Sequence, residues 1–137
     1  MITRESDYAL RIVLALARRS ADPAAVPARS VSDEMDIPYR FVRKIAGKLV
    51  RAGIVRSMRG RAGGLRLTRR SSTLSVLDVL TAIDPAVVTL NLCLLNPRDC
   101  RRFGLCEIHP PLAAVQTQLE RGLAAITFAN LASAAPR

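Results

Sequence analysis

Three cysteines, the only ones in the chain, fall within fourteen residues as Cys93-x6-Cys100-x5-Cys106. The stretch is broken by Pro97 and Gly104, residue types that punctuate loops. Thiolates grouped this way are soft ligands, suited to zinc, copper(I) or an iron-sulfur cluster. An odd count cannot pair completely, and Met1 to Asp7 carry no signal-peptide pattern. The expectation is therefore reduced thiols in a cytoplasmic protein, not a disulfide framework. A lone cysteine is usually a small buried hydrophobe, but three sharing one loop point to a metal. Closed zinc sites usually carry short C-x2-4-C pairs; none is present, which turns the expectation toward a cluster.

Little else in the chain could do chemistry. His109 is the only histidine, no serine or cysteine stands beside a base, and no C-x-x-C occurs. The reading is a protein that is not an enzyme. No apolar run approaches the ~18 residues that span a bilayer, so no membrane partner is expected.

The net charge of +10 is placed unevenly. Residues 1–70 hold 16 Lys+Arg against 6 Asp+Glu, whereas residues 71–137 hold 5 against 5, so the whole excess lies in the first half. Between Asp36 and Asp78 eleven basic residues occur and no acidic one. Such a surface suits a polyanion, whose counterions are released as its phosphates are neutralised.

The elements that position these residues can be read in order. Thr3 caps a helix over Arg4 to Arg19, with Glu5 and Asp7 in the first turn, where the helix dipole favours carboxylates. A loop over Ser20 to Ala28, containing Pro23 and Pro27, leads to a short helix from Ser30, the expected cap, to Asp36. From Pro38 to Ala52 the apolar residues Phe41, Val42, Ile45, Ala46, Leu49 and Val50 share one face, while Arg40, Arg43, Lys44, Lys48 and Arg51 fill the other. This is a helix-turn-helix whose recognition helix runs from Pro38 to Arg51. Its candidate DNA contacts are Pro38, Tyr39, Arg40, Arg43, Lys44 and Lys48.

Ile54 to Met58 and Gly64 to Thr68 then alternate as strands around Arg59-Gly60-Arg61-Ala62-Gly63, giving a wing. Arg59, Gly60 and Arg61 at its tip are candidates for the narrow minor groove, whose potential attracts arginine. Thr73 or Ser75 caps a helix through Ile83. After the cysteine loop, Pro110 opens a last long helix with Ile108, Leu112, Val115, Leu119, Leu123 and Ile126 along one seam. That seam predicts a homodimer, which sets two recognition helices against a palindromic double-stranded site.

With these motifs in view, the chain resembles the Rrf family of winged-helix transcription regulators, of the IscR, NsrR and RirA iron-sulfur-sensing type. The likeness rests on Ser6-Asp7-Tyr8-Ala9-Leu10-Arg11, on Leu49 to Gly64 ending in R-G-x-x-G-G, and on Cys106-x-x-His109-Pro110. It implies a repressor in which each three-cysteine loop holds a 2Fe-2S or 4Fe-4S cluster that gates DNA binding. His109 and Asp7 match the two positions at which members supply a fourth ligand. Two departures stand out. Arg43 replaces a glutamate common in the family's recognition helix, which moves base preference from cytosine N4 toward guanine O6/N7 or phosphate. Leu65 replaces an aromatic residue after the paired glycines.

The expected architecture is mainly α with a small β-hairpin wing: a winged helix-turn-helix over 1–84, a cysteine-rich loop over 85–107, and a dimerisation helix with tail over 108–137. The alternative is a basic winged-helix protein on structured RNA with a structural zinc. With five aromatic residues in the chain, there is little for single-stranded bases to stack on.

Overall fold

The first helix, α1 (Arg4–Arg18), is built as its sequence demands and is packed on by every other helix of the core. The structure, a computed structural model, describes residues 2–22 and 24–134. Met1, Pro23 of the first expected loop and residues 135–137 of the expected tail lie outside the described residues. The Thr3 hydroxyl accepts a hydrogen bond from the Ser6 backbone N–H at 3.2 Å, closing the first turn. Ala9, Ile12, Val13, Ala15 and Leu16 are buried, and Leu10 and Leu14 pack on the core's edge.

The second helix corrects the expected start. Helix α2 spans Ala28–Met35, so Ser30 lies inside it and no side chain caps it. The cause is a tertiary contact: Val26 exchanges backbone hydrogen bonds with Leu65 at 2.8 and 2.7 Å, holding the loop extended until Pro27 launches the helix. Asp36, at φ 51°, makes the turn, and the buried Ser32 hydroxyl donates to the Ile37 carbonyl at 2.7 Å. Helix α3 (Tyr39–Arg51) follows, burying Val42, Ile45, Ala46 and Leu49. Val50, expected on the apolar face, is exposed. Gly53, at φ 71°, closes the helix.

Strands β1 (Val55–Met58) and β2 (Gly64–Leu67) pair antiparallel, with Val55 opposite Leu67 and Met58 opposite Gly64. The paired glycines of the wing have distinct causes. A Cβ on Gly63 would strike the carbonyls of Met58 and Gly60, and one on Gly64 would strike the Val26 carbonyl brought close by the bridge to Leu65. Leu65, where the family often has an aromatic residue, is buried beside that bridge.

Of the two expected caps for α4 (Val76–Ile83), Ser75 is the one used, in a reciprocal capping box with Asp78. Thr73 belongs to a 3-10 turn, Ser71–Thr73. Burial pushes the Asp78 carboxyl up, but hydrogen bonds from Ser75 and the Arg69 guanidinium outweigh it and hold it below the ordinary carboxylate range.

Residues 85–107 are not a featureless loop. They hold the 3-10 turn Pro85–Val88, the one-turn helix α5 (Leu92–Leu95) and a second 3-10 turn, Pro97–Asp99. Helix α6 (His109–Ala125) begins beside Pro110 as expected, packs on α4 and α5, and stops before Ile126. A further helix that the sequence reading did not anticipate, α7 (Phe128–Ser133), turns back onto α1. Phe128 is fully buried and donates its N–H to the Leu74 carbonyl at 2.9 Å. The segment after α6 thus completes the core around α1, rather than trailing from the last long helix.

Candidate nucleic-acid interface and cysteine segment

One side of α3 is a row of cations because its other side must be apolar. Arg40, Arg43 and Lys44 are exposed, while Lys48 is half-buried. The two lysines converge on Glu5 of α1, with Nζ of Lys48 at 3.0 Å and Nζ of Lys44 at 3.5 Å from its Oε1. The hydrogen bond from Lys48 and the charges of both lysines hold the Glu5 carboxyl below its ordinary range. Glu5 therefore fixes α3 against α1. The sequence reading placed Glu5 only as a first-turn carboxylate, because its partners lie about forty residues away.

The first turn of α3 carries Pro38, exposed, and Tyr39, half-buried. Arg29 of α2 stacks over the Tyr39 ring at 4.1 Å and joins the basic face. It was missed because Asp33, Glu34 and Asp36 separate it from the basic run. Arg40 lies over Phe41 at 4.9 Å, and Phe41 packs on Tyr8 with centroids 5.8 Å apart. Between α3 and the wing lies a cleft of about 400 Å³ whose lining includes Tyr39, Arg43, Gly47, Val50 and Ser57. At the wing tip Arg59, Gly60 and Arg61 are exposed, with Gly60 at φ 102°. Arg56 and Arg66 occupy paired positions across the hairpin.

The Ser6 to Arg11 motif has a structural role. Ser6 and Ala9 are buried, and the Arg11 guanidinium joins the Asp7 carboxylate at 2.7 Å to the Met35 carbonyl at 3.4 Å, tying α1 to the end of α2.

All three cysteines are free and half-buried. Cys93 sits on α5, Cys100 follows the second 3-10 turn, and the Cys106 carbonyl accepts from the His109 N–H at 3.3 Å. His109 meets Phe103 edge-on at 5.2 Å. Among the described residues, no three of His, Cys, Asp and Glu are gathered closely enough to hold a metal ion. The donor types fit a soft metal or cluster, and binding one requires the segment to draw its thiols together. Asp7, already paired with Arg11, lies on α1 and, among the described residues, belongs to no three-donor group with the cysteines.

The segment is fastened to α6 by a residue the sequence reading did not single out. Gln116, the one buried residue of α6, accepts from the Leu90 N–H at 2.9 Å and donates to the Val88 carbonyl at 2.9 Å. Around this staple apolar side chains are exposed among charged ones such as Arg98, Arg101, Arg102 and Glu107. Leu92, Leu95, Phe103 and Leu105 of the segment are exposed, as are Ile108 at the start of α6 and Val115 and Leu119 within it. Among the described residues no helix is long and apolar enough to cross a membrane.

A family profile described as "Rrf2: Iron-dependent Transcriptional regulator" matches residues 2–134. An rrf2-like HTH-type transcriptional regulator of Rhodobacter capsulatus is 32% identical over 122 residues, covering 84% of this chain and 81% of its own. The HTH-type transcriptional regulator IscR of Vibrio vulnificus is 29% identical over 132 residues, covering 96% of this chain and 77% of its own. The solved structure of CymR, the global cysteine regulator of B. subtilis, superposes with a TM-score of 0.77 at 19% identity, covering 99% of this chain and 98% of that one. That likeness shows the winged-helix fold.

Proposed function

The chain belongs to the Rrf2 family of transcriptional regulators, and from that premise we propose a cytoplasmic, homodimeric repressor whose operator affinity is set by an iron-sulfur cluster on Cys93, Cys100 and Cys106. The observation that carries the proposal is the attachment of the cysteine segment to α6 at both ends. Gln116 holds its front through residues 88 and 90, and Cys106 runs directly into the first turn of α6. Whatever draws the thiols together acts on that helix. Helix α6 buries only Gln116 of its seventeen residues, so its seam of Ile108, Leu112, Val115, Leu119 and Leu123 suits a second copy of the chain.

On the DNA side each group has a task. Arg40, Arg43 and Lys44 enter the major groove with α3, and Arg43 takes guanine O6/N7 or a phosphate. Arg59 and Arg61 probe the minor groove from the wing tip, while Pro38, Tyr39 and Gly60 set the approach of the backbone. Glu5 holds Lys44 and Lys48, so a displacement of α1 is passed to the recognition helix. A cluster held on the cysteines would supply thiolate-ligated iron, and its signal would be one of nitric oxide, iron scarcity, oxidant or cluster supply. His109 and Asp7, the latter contributed across the dimer, are the candidates for its fourth ligand. The proposed functional division is 1–84 for DNA, 85–107 for the cluster and α6 for the dimer, with α7 returned to the DNA-binding core.

Anaerobic purification followed by absorption spectroscopy and iron and sulfide analysis tests this reading. A brown protein with stoichiometric iron and sulfide is expected. A colourless protein containing zinc overturns the cluster. The variants His109→Ala and Asp7→Ala, compared by the same spectrum, identify the fourth ligand.

A further inference from the structure

Glycine is among the residues least suited to a helix interior, yet Gly47 stands inside α3. Nothing within the chain requires it. Its backbone is ordinary helix, without a positive φ, and outside that backbone a Cβ built on it would meet only the Arg51 guanidinium, at 3.7 Å, a normal van der Waals contact. Gly63 and Gly64 differ, since there a Cβ would collide with carbonyl groups. Along α3, Tyr39, Arg43, Gly47 and Val50 fall on one face at helical spacing, and all four line the cleft of about 400 Å³ between the recognition helix and the wing. The space that Gly47 leaves open therefore belongs to whatever enters that cleft.

The walls say what the occupant is. Exposed Arg43 stands on the helix side and exposed Ser57 of β1 on the wing side, and among the described residues no carboxylate lines the cleft. Arg29, stacked over Tyr39 at 4.1 Å, adds a second guanidinium beside it. Between the walls Ala46 and Leu65 are buried, so the floor is apolar. A cationic rim over an apolar floor suits a chain in which anions alternate with uncharged sugar rings. The positions of α3 and the wing point the same way, because in duplex DNA a major groove and the adjacent minor groove are separated by one sugar-phosphate strand. With the helix in one groove and the wing tip in the other, that strand runs through the gap between them.

We infer that Gly47 is the point at which one sugar-phosphate strand of duplex DNA comes against the backbone of the recognition helix, seated in the cleft with its phosphates toward Arg43 and Ser57. The inference rests on the DNA-binding role given above to α3 and the wing, and not on the cysteines. Gly47 is then a positioning residue: strand contacts fix the register and depth of the helix and carry no base information. A methyl group at 47 would hold the strand away, and hydrogen bonds to its phosphates are lost once stretched past about 3.5 Å.

The test uses the full-length protein at fixed salt with two duplexes of equal length, one selected by the wild type from a random-sequence pool and one unrelated. Gly47→Ala should keep or raise the urea midpoint of unfolding, because alanine is the better helix former, while weakening binding to both duplexes at least tenfold. Ser57→Leu, which fills the cleft from the wing side and leaves α3 untouched, should weaken both as well. Undiminished binding by Gly47→Ala overturns the inference. So does weakening confined to the selected duplex, which would place a base edge against Gly47, and so does a lowered midpoint, which would mean that the glycine serves the fold. A wild type that selects and retains no duplex removes instead the DNA-binding reading on which the inference rests.

Discussion

At the scale of single residues, the interface is organised by one carboxylate. Glu5 sits in the first turn of α1 and receives both Lys44 and Lys48, so two of the cations on α3 point where α1 directs them. Replacing it by glutamine should cost about 0.2–1 kcal/mol at neutral pH, the range of partly exposed ion pairs, measured by urea unfolding. The pH dependence follows from the direction of the shift. The folded-state pKa of Glu5 is lowered, so its contribution is complete above the unfolded-state value and is lost as pH falls through the folded one. Wild type and Glu5→Gln should therefore converge in stability in acid and separate above the carboxylate range. A difference that is constant across pH would show that the lysines do not hold Glu5 ionised. At the wing, Arg59→Ala should weaken operator binding by about 1–3 kcal/mol at fixed salt, read from DNA titration. An unaltered dissociation constant and footprint would remove the wing tip from the interface.

At the scale of elements, what could be read from the sequence is what local chemistry decides. Helix α3 was legible because a basic face opposite Val42, Ile45 and Leu49 repeats at the helical period, and Gly53 ends it. The hairpin was legible because alternation flanks a glycine-rich turn. Three features were not, and each depends on a distant partner. The start of α2 is set by the Val26–Leu65 bridge, Gly64 is required by the same close approach, and α7 exists because Phe128 has a slot beside Leu74. A signal for α7 was present in Thr127, which caps it by accepting from the Asn130 N–H at 3.3 Å, with Phe128, Leu131 and Ala132 at helical spacing. The cysteine spacing was plain, but its coupling to α6 runs through Gln116, a polar residue among apolar ones whose role appears only when Val88 and Leu90 come within reach. Phe128→Ala should destabilise the protein by about 3–5 kcal/mol, the cost of emptying a filled aromatic site. Denaturant unfolding checks it, and a loss under 1 kcal/mol would mean that α7 is only loosely docked.

At the scale of the whole molecule, basic and apolar surfaces are separated. The exposed cations cluster on α3 and the wing, and exposed apolar side chains cluster on α6 and the cysteine segment. Exposed Ile108, Val115 and Leu119, with Leu105 just before α6 and Leu92 on α5, which packs on α6, are apolar side chains of the kind that monomers rarely leave open together. Leu119→Asp should convert a dimer into a monomer in sedimentation velocity at micromolar concentration. A dimer that persists would place the interface elsewhere. The same separation frames the central proposal, that the cysteine segment controls DNA binding through α6, the helix α4 on which it packs, and α1. The most direct measurement is operator affinity of the anaerobically purified protein before and after its iron is removed by chelator, with Cys100→Ala alongside. The account predicts that iron removal changes affinity at least tenfold, and that Cys100→Ala is colourless and binds DNA like the stripped wild type whether or not chelator is added. Equal affinity in both wild-type states, or a Cys100→Ala protein that keeps full iron and responds as wild type does, would contradict it.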